Sequence, residues 1–150
     1  SGYWVYALWC GQALCDACII NWKGDSMKVL LTEDVEVARR VACLVLNSLG
    51  CVIDVALNGQ AALDAMAVDS NYDLILMDLG LPDIPGEEVA QRIQAQYGDQ
   101  SKMKVVALTA HAPLDDMSMF DAIIEKPLTK HNFCKLLKKI DLYDCLAEAT

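Results

Sequence analysis

Basic side chains are scarce in this sequence: 12 Lys and Arg stand against 21 Asp and Glu, for a net charge of −9. A surface so acidic repels nucleic acid and anionic membrane, which leaves proteins, metal ions and small phosphate donors as the partners its field admits. Histidine is scarcer still, with two copies, and the seven Cys form no paired framework. From Cys43 onward they sit inside apolar runs, which fits free thiols buried as small hydrophobes in a reducing cytoplasm and excludes a disulfide scaffold. Apolar residues are not lacking. They make up 55% of the 150 residues, enough for one domain with a core on both faces of a small sheet. The chain opens on Ser1-Gly2 rather than Met, as expected of a processed chain or a piece of a longer one.

Residues 1–26 differ in character from the rest. They hold all three Trp and three of the seven Cys, with no clean period of 2 or 3.6. The apolar stretch from Tyr3 to Trp22 approaches the length of a membrane span, but Gln12 and Asp16 interrupt it and no basic flank precedes it. Cys10, Cys15 and Cys18 have the Cys-x4-Cys-x2-Cys spacing of the first three ligands of a plant-type iron–sulfur loop, yet the next cysteine, Cys43, falls in a helical pattern. The segment reads as a tag-like or linker-like head that packs incidentally. The domain is expected over residues 27–150.

From Met27 the pattern is regular. Met27 to Thr32 is a short apolar run that stops at two acids, a buried strand leading into a helix. Asp34 is placed to cap that helix. Ala38, Val41, Ala42, Val45 and Leu49 recur on its inner face, Arg39 and Arg40 point outward, and Gly50 ends it. The unit then repeats, with strands at 51–56, 73–77, 104–108 and 122–125 and helices at 61–66 and 87–97. Asn58-Gly59 reads as a turn. Thr129 caps a last helix with Phe133, Leu136, Leu137 and Ile140 inward and Lys135, Lys138 and Lys139 outward.

Strands alternating with helices imply right-handed βαβ units and a parallel sheet covered on both faces, with functional groups at the carboxyl ends of the strands. Glu33 and Asp34 follow the first strand, Asp78 the third, Thr109 the fourth and Lys126-Pro127 the fifth. Singly, these are a helix cap, a turn acid, a loop hydroxyl and a solvated charge. Together, at successive strand ends in strands otherwise poor in charge, they converge on one pocket. Oxygen ligands clustered without His or Cys suit magnesium, which binds through one or two carboxylates and shares phosphate oxygens. A carboxylate beside such an ion is a nucleophile toward a phosphoryl donor, and a lysine neutralises charge on the transferred group.

At these residues the sequence resembles the receiver domains of two-component response regulators. The resemblance rests on Glu33-Asp34, on Leu74 to Pro82 around Asp78 with Gly86 beyond, on Thr109-Ala110 and on Lys126-Pro127. It covers about Met27 to Ile140, and Ala56 to Leu63 is also similar to the family's approach to its second helix. It implies a flavodoxin-like, doubly wound five-stranded parallel sheet, (βα)5, of class α/β. Carried over by residue, Asp78 is the phosphoacceptor, Asp34 and Asp78 bind Mg2+ directly, Glu33 acts through metal-bound water and the Gly80 carbonyl is a further ligand. Thr109 and the Ala110 amide hold the phosphoryl oxygens and Lys126 pairs with the phosphate, before a bond to Pro127 of the kind usually cis in the family. The implied partner is a histidine kinase or histidine phosphotransfer protein. The Glu-Asp and Thr-Ala-His wording is similar to receivers attached to hybrid sensor histidine kinases. Such a domain catalyses only its own phosphorylation and dephosphorylation.

Two departures stand out. Only 17 positions separate Thr109 from Lys126, so the helix between the fourth and fifth strands, the family's α4 region, or its loop must be shortened. Ile123 stands where receivers commonly carry an aromatic residue, so transmission of the signal is expected to differ. A flavodoxin-type cofactor binder would need a Ser/Thr/Gly-rich loop where Thr32-Glu33-Asp34-Val35 stands. A haloacid-dehalogenase-like phosphatase would need a second Asp at Gly80. The stronger rival is a pseudo-receiver that keeps the fold as a protein-interaction module without phosphorylation.

Overall fold

A computed structural model of the chain describes residues 20–21, 26–99, 102–111, 116–140 and 144–145. Five parallel strands form one sheet: β1 Lys28–Thr32, β2 Val52–Ala56, β3 Leu74–Asp78, β4 Lys104–Thr109 and β5 Ala122–Glu125, in the order β2-β1-β3-β4-β5. Four helices cover it: α1 Glu36–Ser48, α2 Gly59–Val68, α3 Gly86–Tyr97 and α4 Lys130–Lys139. The strand order reverses beside β1, which makes the crevice above β1 and β3 the switch point of a flavodoxin-like α/β sheet. Ile20–Asn21 and Asp144–Cys145 form a separate two-residue antiparallel ladder. The rest of the head, with its iron–sulfur-like and span-like readings, lies outside the described residues.

The pleat sorts the core into two layers. Val29, Leu31, Leu74, Leu76, Val106 and Leu108 pack under α1 and α4, with Leu46 and Phe133 among their partners. Leu30, Ile75, Met77, Val105 and Ala107 pack under α2 and α3, against Ala62, Met66, Val89 and Ile93. Leu74 to Met77 are buried on both faces, which is why β3 reads as an unbroken apolar run.

Several local expectations hold. Gly50 has φ 82°, and its N–H and that of Cys51 bond the carbonyls of Asn47 and Leu46, a Schellman ending to α1. Thr129 and Asn132 form a capping box at the start of α4, whose Phe133, Leu136, Leu137 and Ile140 are buried.

Others are corrected. Asp34 does not cap α1. The N-cap is Val35, without a side-chain bond, and the Val35 amide is taken instead by Glu33 Oε1 at 3.1 Å. The buried stripe of α1 runs through Ala42, Leu46 and Leu49, while Val41 is 37% exposed and Arg39 half-buried. Asn58 is the N-cap of α2, accepting from the Ala61 amide at 2.8 Å, and Gly59 is the first helical residue rather than part of a turn. Between β4 and β5 the described residues 116–121 form a turn closed by Phe120 N–H to the Met117 carbonyl, with Phe120 buried on the α2–α3 side. The shortening there is carried to the point that the described residues contain no fourth crossover helix.

Candidate functional site

Strand parity decides which side chains meet above the sheet. Val29 and Leu31 face the α1–α4 layer, and Glu33 follows at the same period of two. Asp78 follows Leu74 and Leu76, and Lys126 follows Ala122 and Ile124. Strands with one buried register therefore deliver two acids and a base to the same side of the crevice. Lys126 Nζ lies 2.6 Å from Glu33 Oε2 and 3.1 Å from Asp78 Oδ1. Oxygens of Glu33, Asp34 and Asp78 lie within 4.8 Å of one another.

Glu33 is 1% exposed and Asp78 5%, so both charges are held largely out of water. Burial of this kind is tolerable only with a counter-charge and hydrogen bonds, which Lys126 and two backbone amides provide. Burial pushes the Glu33 carboxyl above its ordinary pKa, and neighbouring Asp78 adds to the effect against the pull of Lys126 and the Val35 amide. Burial also opposes the charge on Asp78, but the Gly80 amide, 3.1 Å from Oδ1, together with Glu33 and Lys126, holds its carboxyl below the usual range. For Lys126 burial acts downward and the two carboxylates more than reverse it, so the ammonium is held charged. Asp78 is thus the member of the pair whose charged form its neighbours favour.

One ammonium among three carboxylates leaves the cluster short of positive charge. Asp34 Oδ1 is buried without a hydrogen-bond partner, one of two such side-chain oxygens among the described residues, the other being Thr32 Oγ1. A buried carboxylate oxygen is not left unpaired without cost. The all-oxygen donor set and the orphaned Asp34 oxygen both fit a hard divalent cation such as Mg2+.

The remaining site residues stand at the same edge but are not all brought into contact. Thr109 continues the parity of Val105 and Ala107. Its hydroxyl donates to the His111 carbonyl at 2.6 Å and accepts from the His111 amide at 3.2 Å, a local turn rather than a bond to the carboxylates. Ala110 and Gly80 are exposed. The Lys126-Pro127 bond is cis.

The sequence profile of the response regulator receiver domain matches residues 29–141. This chain belongs to that family. The receiver is 36% identical over 118 residues to the aerobic respiration control sensor protein ArcB of Escherichia coli, covering 76% of this chain but 15% of ArcB. It is 31% identical over 132 residues to two-component response regulator 24 of Arabidopsis thaliana, covering 82% of this chain and 90% of that protein. Among solved structures, the CheY-like receiver of Methylobacillus flagellatus superposes with a TM-score of 0.69 at 27% identity, over 77% of this chain and 99% of that one. The response regulator TrrA of Thermotoga maritima, solved with Mg(2+)-BeF, gives 0.68 at 30% identity, over 76% and 98%. The chain therefore spans about a seventh of the sensor protein ArcB and nearly all of the other three.

Three further residues shape the receiver site: Asp83 and Asn132, which the sequence did not single out, and Gly86, which entered only through the family resemblance. Asp83, in the loop after β3, accepts from the Gly59 amide at 2.8 Å and the Gln60 amide at 2.9 Å. The Gln60 amide foremost, with Gly59, holds its carboxyl below the ordinary range, at the positive end of α2. Gly86 lies so close to the end of β3 that a Cβ would stand 2.3 Å from the Asp78 carbonyl oxygen. Asn132 bonds the backbone on both sides of Lys126. Asn132 has a local trace as well, the Thr129-x-x-Asn132 spacing of a capping box.

Proposed function

We propose that this receiver takes a phosphoryl group from a phosphohistidine onto Asp78, with Mg2+, and that the modified domain switches a protein-interaction surface in a two-component phosphorelay. The observation that carries the reading is the Lys126 ammonium shared between Glu33 and Asp78 beside the unpartnered Asp34 oxygen. Glu33, Asp34, Asp78 and the Gly80 carbonyl would hold the cation, which supplies charge neutralisation at the transferring oxygens. Asp78, kept ionised, attacks phosphorus: an oxygen–phosphorus bond forms, the donor's nitrogen–phosphorus bond breaks, and the imidazole nitrogen keeps the electron pair. Lys126 offsets the negative charge on the group that arrives. Thr109 and the Ala110 amide are assigned to the phosphoryl oxygens, which requires the Thr109 hydroxyl to leave His111.

The donor is a histidine kinase or histidine phosphotransfer protein, and the domain works in the cytoplasm, alone or as part of a hybrid sensor kinase. The ArcB relative and a probable histidine kinase of rice, 30% identical, support that setting. The acidic surface supports protein partners over nucleic acid or membrane, and among the described residues no helix is long and apolar enough to cross a membrane. Residues 27–150 form the receiver in this reading, with 1–26 as a separate head.

Acetyl phosphate with Mg2+, followed by intact mass, tests the assignment. The parent should gain one phosphoryl group and Asp78→Asn none. Labelling of the variant at the parental level would move the nucleophile elsewhere, and a parent that accepts phosphate from neither acetyl phosphate nor a phosphohistidine protein would be a pure interaction module.

A further inference from the structure

The side-chain amide of Asn132 is committed at both ends to one short loop. Its Oδ1 accepts from the Thr129 amide at 2.7 Å, and its Nδ2 donates to the carbonyls of Glu125 at 3.2 Å and Pro127 at 3.0 Å. Only this orientation of the amide pairs a donor and two acceptors correctly. A capping box needs the acceptor alone, so the two donated bonds exceed what starting α4 requires. They grip the backbone on either side of Lys126, whose own N–H donates to the Thr109 carbonyl at 2.7 Å. The base of the Lys126 side chain is thereby fixed from β4 on one side and from the first turn of α4 on the other.

That fixation matters because lysine is a point charge on a flexible four-carbon stem. Two close ion pairs to buried carboxylates form without a large entropic loss only if the stem starts from a set position. We propose that Asn132 is a positioning residue: it sets the strand-end loop so that the Lys126 ammonium meets Glu33 and Asp78 together. Its effect on phosphoryl transfer rests on Asp78 being the phosphoacceptor; its effect on the ammonium does not.

Asn132→Asp keeps the shape and the acceptor for Thr129 but loses both donors. Thr129→Ala is the converse: it removes the hydroxyl that accepts from the Asn132 amide at 3.0 Å and leaves the bonds to Glu125 and Pro127. Labelling of Asp78 by acetyl phosphate should fall roughly ten-fold in Asn132→Asp, as misplacement of a catalytic group does, and should not fall further when Lys126→Ala is already present. Thr129→Ala should melt at a lower temperature yet label at the parental rate. In 15N NMR spectra the Lys126 ammonium signal, identified by its loss in Lys126→Ala, should shift or broaden in Asn132→Asp and not in Thr129→Ala. The proposal is overturned by an unchanged ammonium signal in Asn132→Asp, by an equal fall in labelling with and without Lys126, or by equal losses in the two single variants. If the parent never labels, the phosphoacceptor reading fails, and the ammonium signal alone decides on Asn132.

Discussion

Replacing Gly86 by Ala tests how the loop after β3 is seated, because two known effects oppose each other there. Gly86 opens α3, and Ala is a better helix former than Gly by at most about 1 kcal/mol. Against this, the added Cβ would stand 2.3 Å from the Asp78 carbonyl oxygen, 3.0 Å from Leu79 Cα and 3.1 Å from the Asp78 carbonyl carbon, where 3.0 Å is the practical floor for such contacts. All three atoms are backbone, and they belong to the residue that carries the chemistry and its neighbour. No side chain can swing aside, so the helix start or the strand end must move. Overpacking of this kind costs about 1–3 kcal/mol, against a helix gain of at most about 1 kcal/mol, so the net loss reaches about 2 kcal/mol, or roughly 4–8 °C in melting temperature at about 2–4 °C per kcal/mol.

Gly80→Ala in the same loop is the internal control, since its Cβ would meet only Asp78 Oδ1 at 3.8 Å, an ordinary contact. It should be neutral or slightly stabilising through the unfolded chain. Urea and thermal melts of both variants, with Mg2+ titrations of each, read the outcome. If Gly86→Ala is as stable as Gly80→Ala and binds Mg2+ like the parent, the tight seating of α3 on the Asp78 backbone is not a constraint and the argument fails.

The remaining predictions concern charge. If Mg2+ binds with a dissociation constant on the order of 1 mM, ~10 mM should stabilise the domain by about 1.4 kcal/mol, or several degrees, and Asp34→Asn should shrink that shift; its persistence in Asp34→Asn would remove Asp34 from the ligand set. Glu33, with its folded pKa raised, binds its proton more readily folded than unfolded, so in EDTA the parent should gain stability relative to Glu33→Gln as pH falls through that raised pKa toward 4.5. Asp78 acts in the other direction, its contribution being present above 3.8 and lost as pH falls through its lowered pKa. Melts at intervals from neutral pH to about pH 3 should therefore show a parent-minus-Glu33→Gln difference that rises on acidification, and a flat or falling difference would mean that burial does not dominate at Glu33.

How far the sequence carried this description depends on the range of each interaction. The alternation of strands and helices and the gathering of Glu33, Asp78 and Lys126 at strand ends follow from apolar runs and the placement of polar residues, both local patterns, whereas the flavodoxin-like arrangement of the sheet came from the family resemblance. On α1 the local pattern was ambiguous. Apolar residues lie on two overlapping stripes, one through Val37, Val41 and Leu44 and one through Ala38, Ala42, Leu46 and Leu49, and only the sheet beneath selects the second. The Asp34 cap failed because the helix starts one residue later than expected, with Val35 in the N-cap position and Glu36 first in the helix. Asp83 was invisible for a plainer reason: its partners Gly59 and Gln60 are 24 and 23 residues away, and nothing in the local sequence marks a bond of that span.

The bonds of Asp83 and Asn132 also rank the three loops of the site by how firmly each is held. The loop after β3 is fastened through Asp83 to the first turn of α2, in one layer. The loop after β5 is fastened through Asn132 to the first turn of α4, in the other. Each fastening uses amides or a capping residue that a helix start must satisfy in any case, so breaking it exposes a helix terminus as well as freeing a loop. Beyond β4, the Thr109 hydroxyl bonds only the His111 backbone among the described residues, and the described residues that follow lead into a turn rather than a helix. Moving the Thr109 hydroxyl toward Asp78 exchanges two local bonds, whereas moving Asp78 or Lys126 disrupts a helix start. The nucleophile and the ammonium are therefore the fixed points of the receiver site, and the hydroxyl is the group whose displacement costs least.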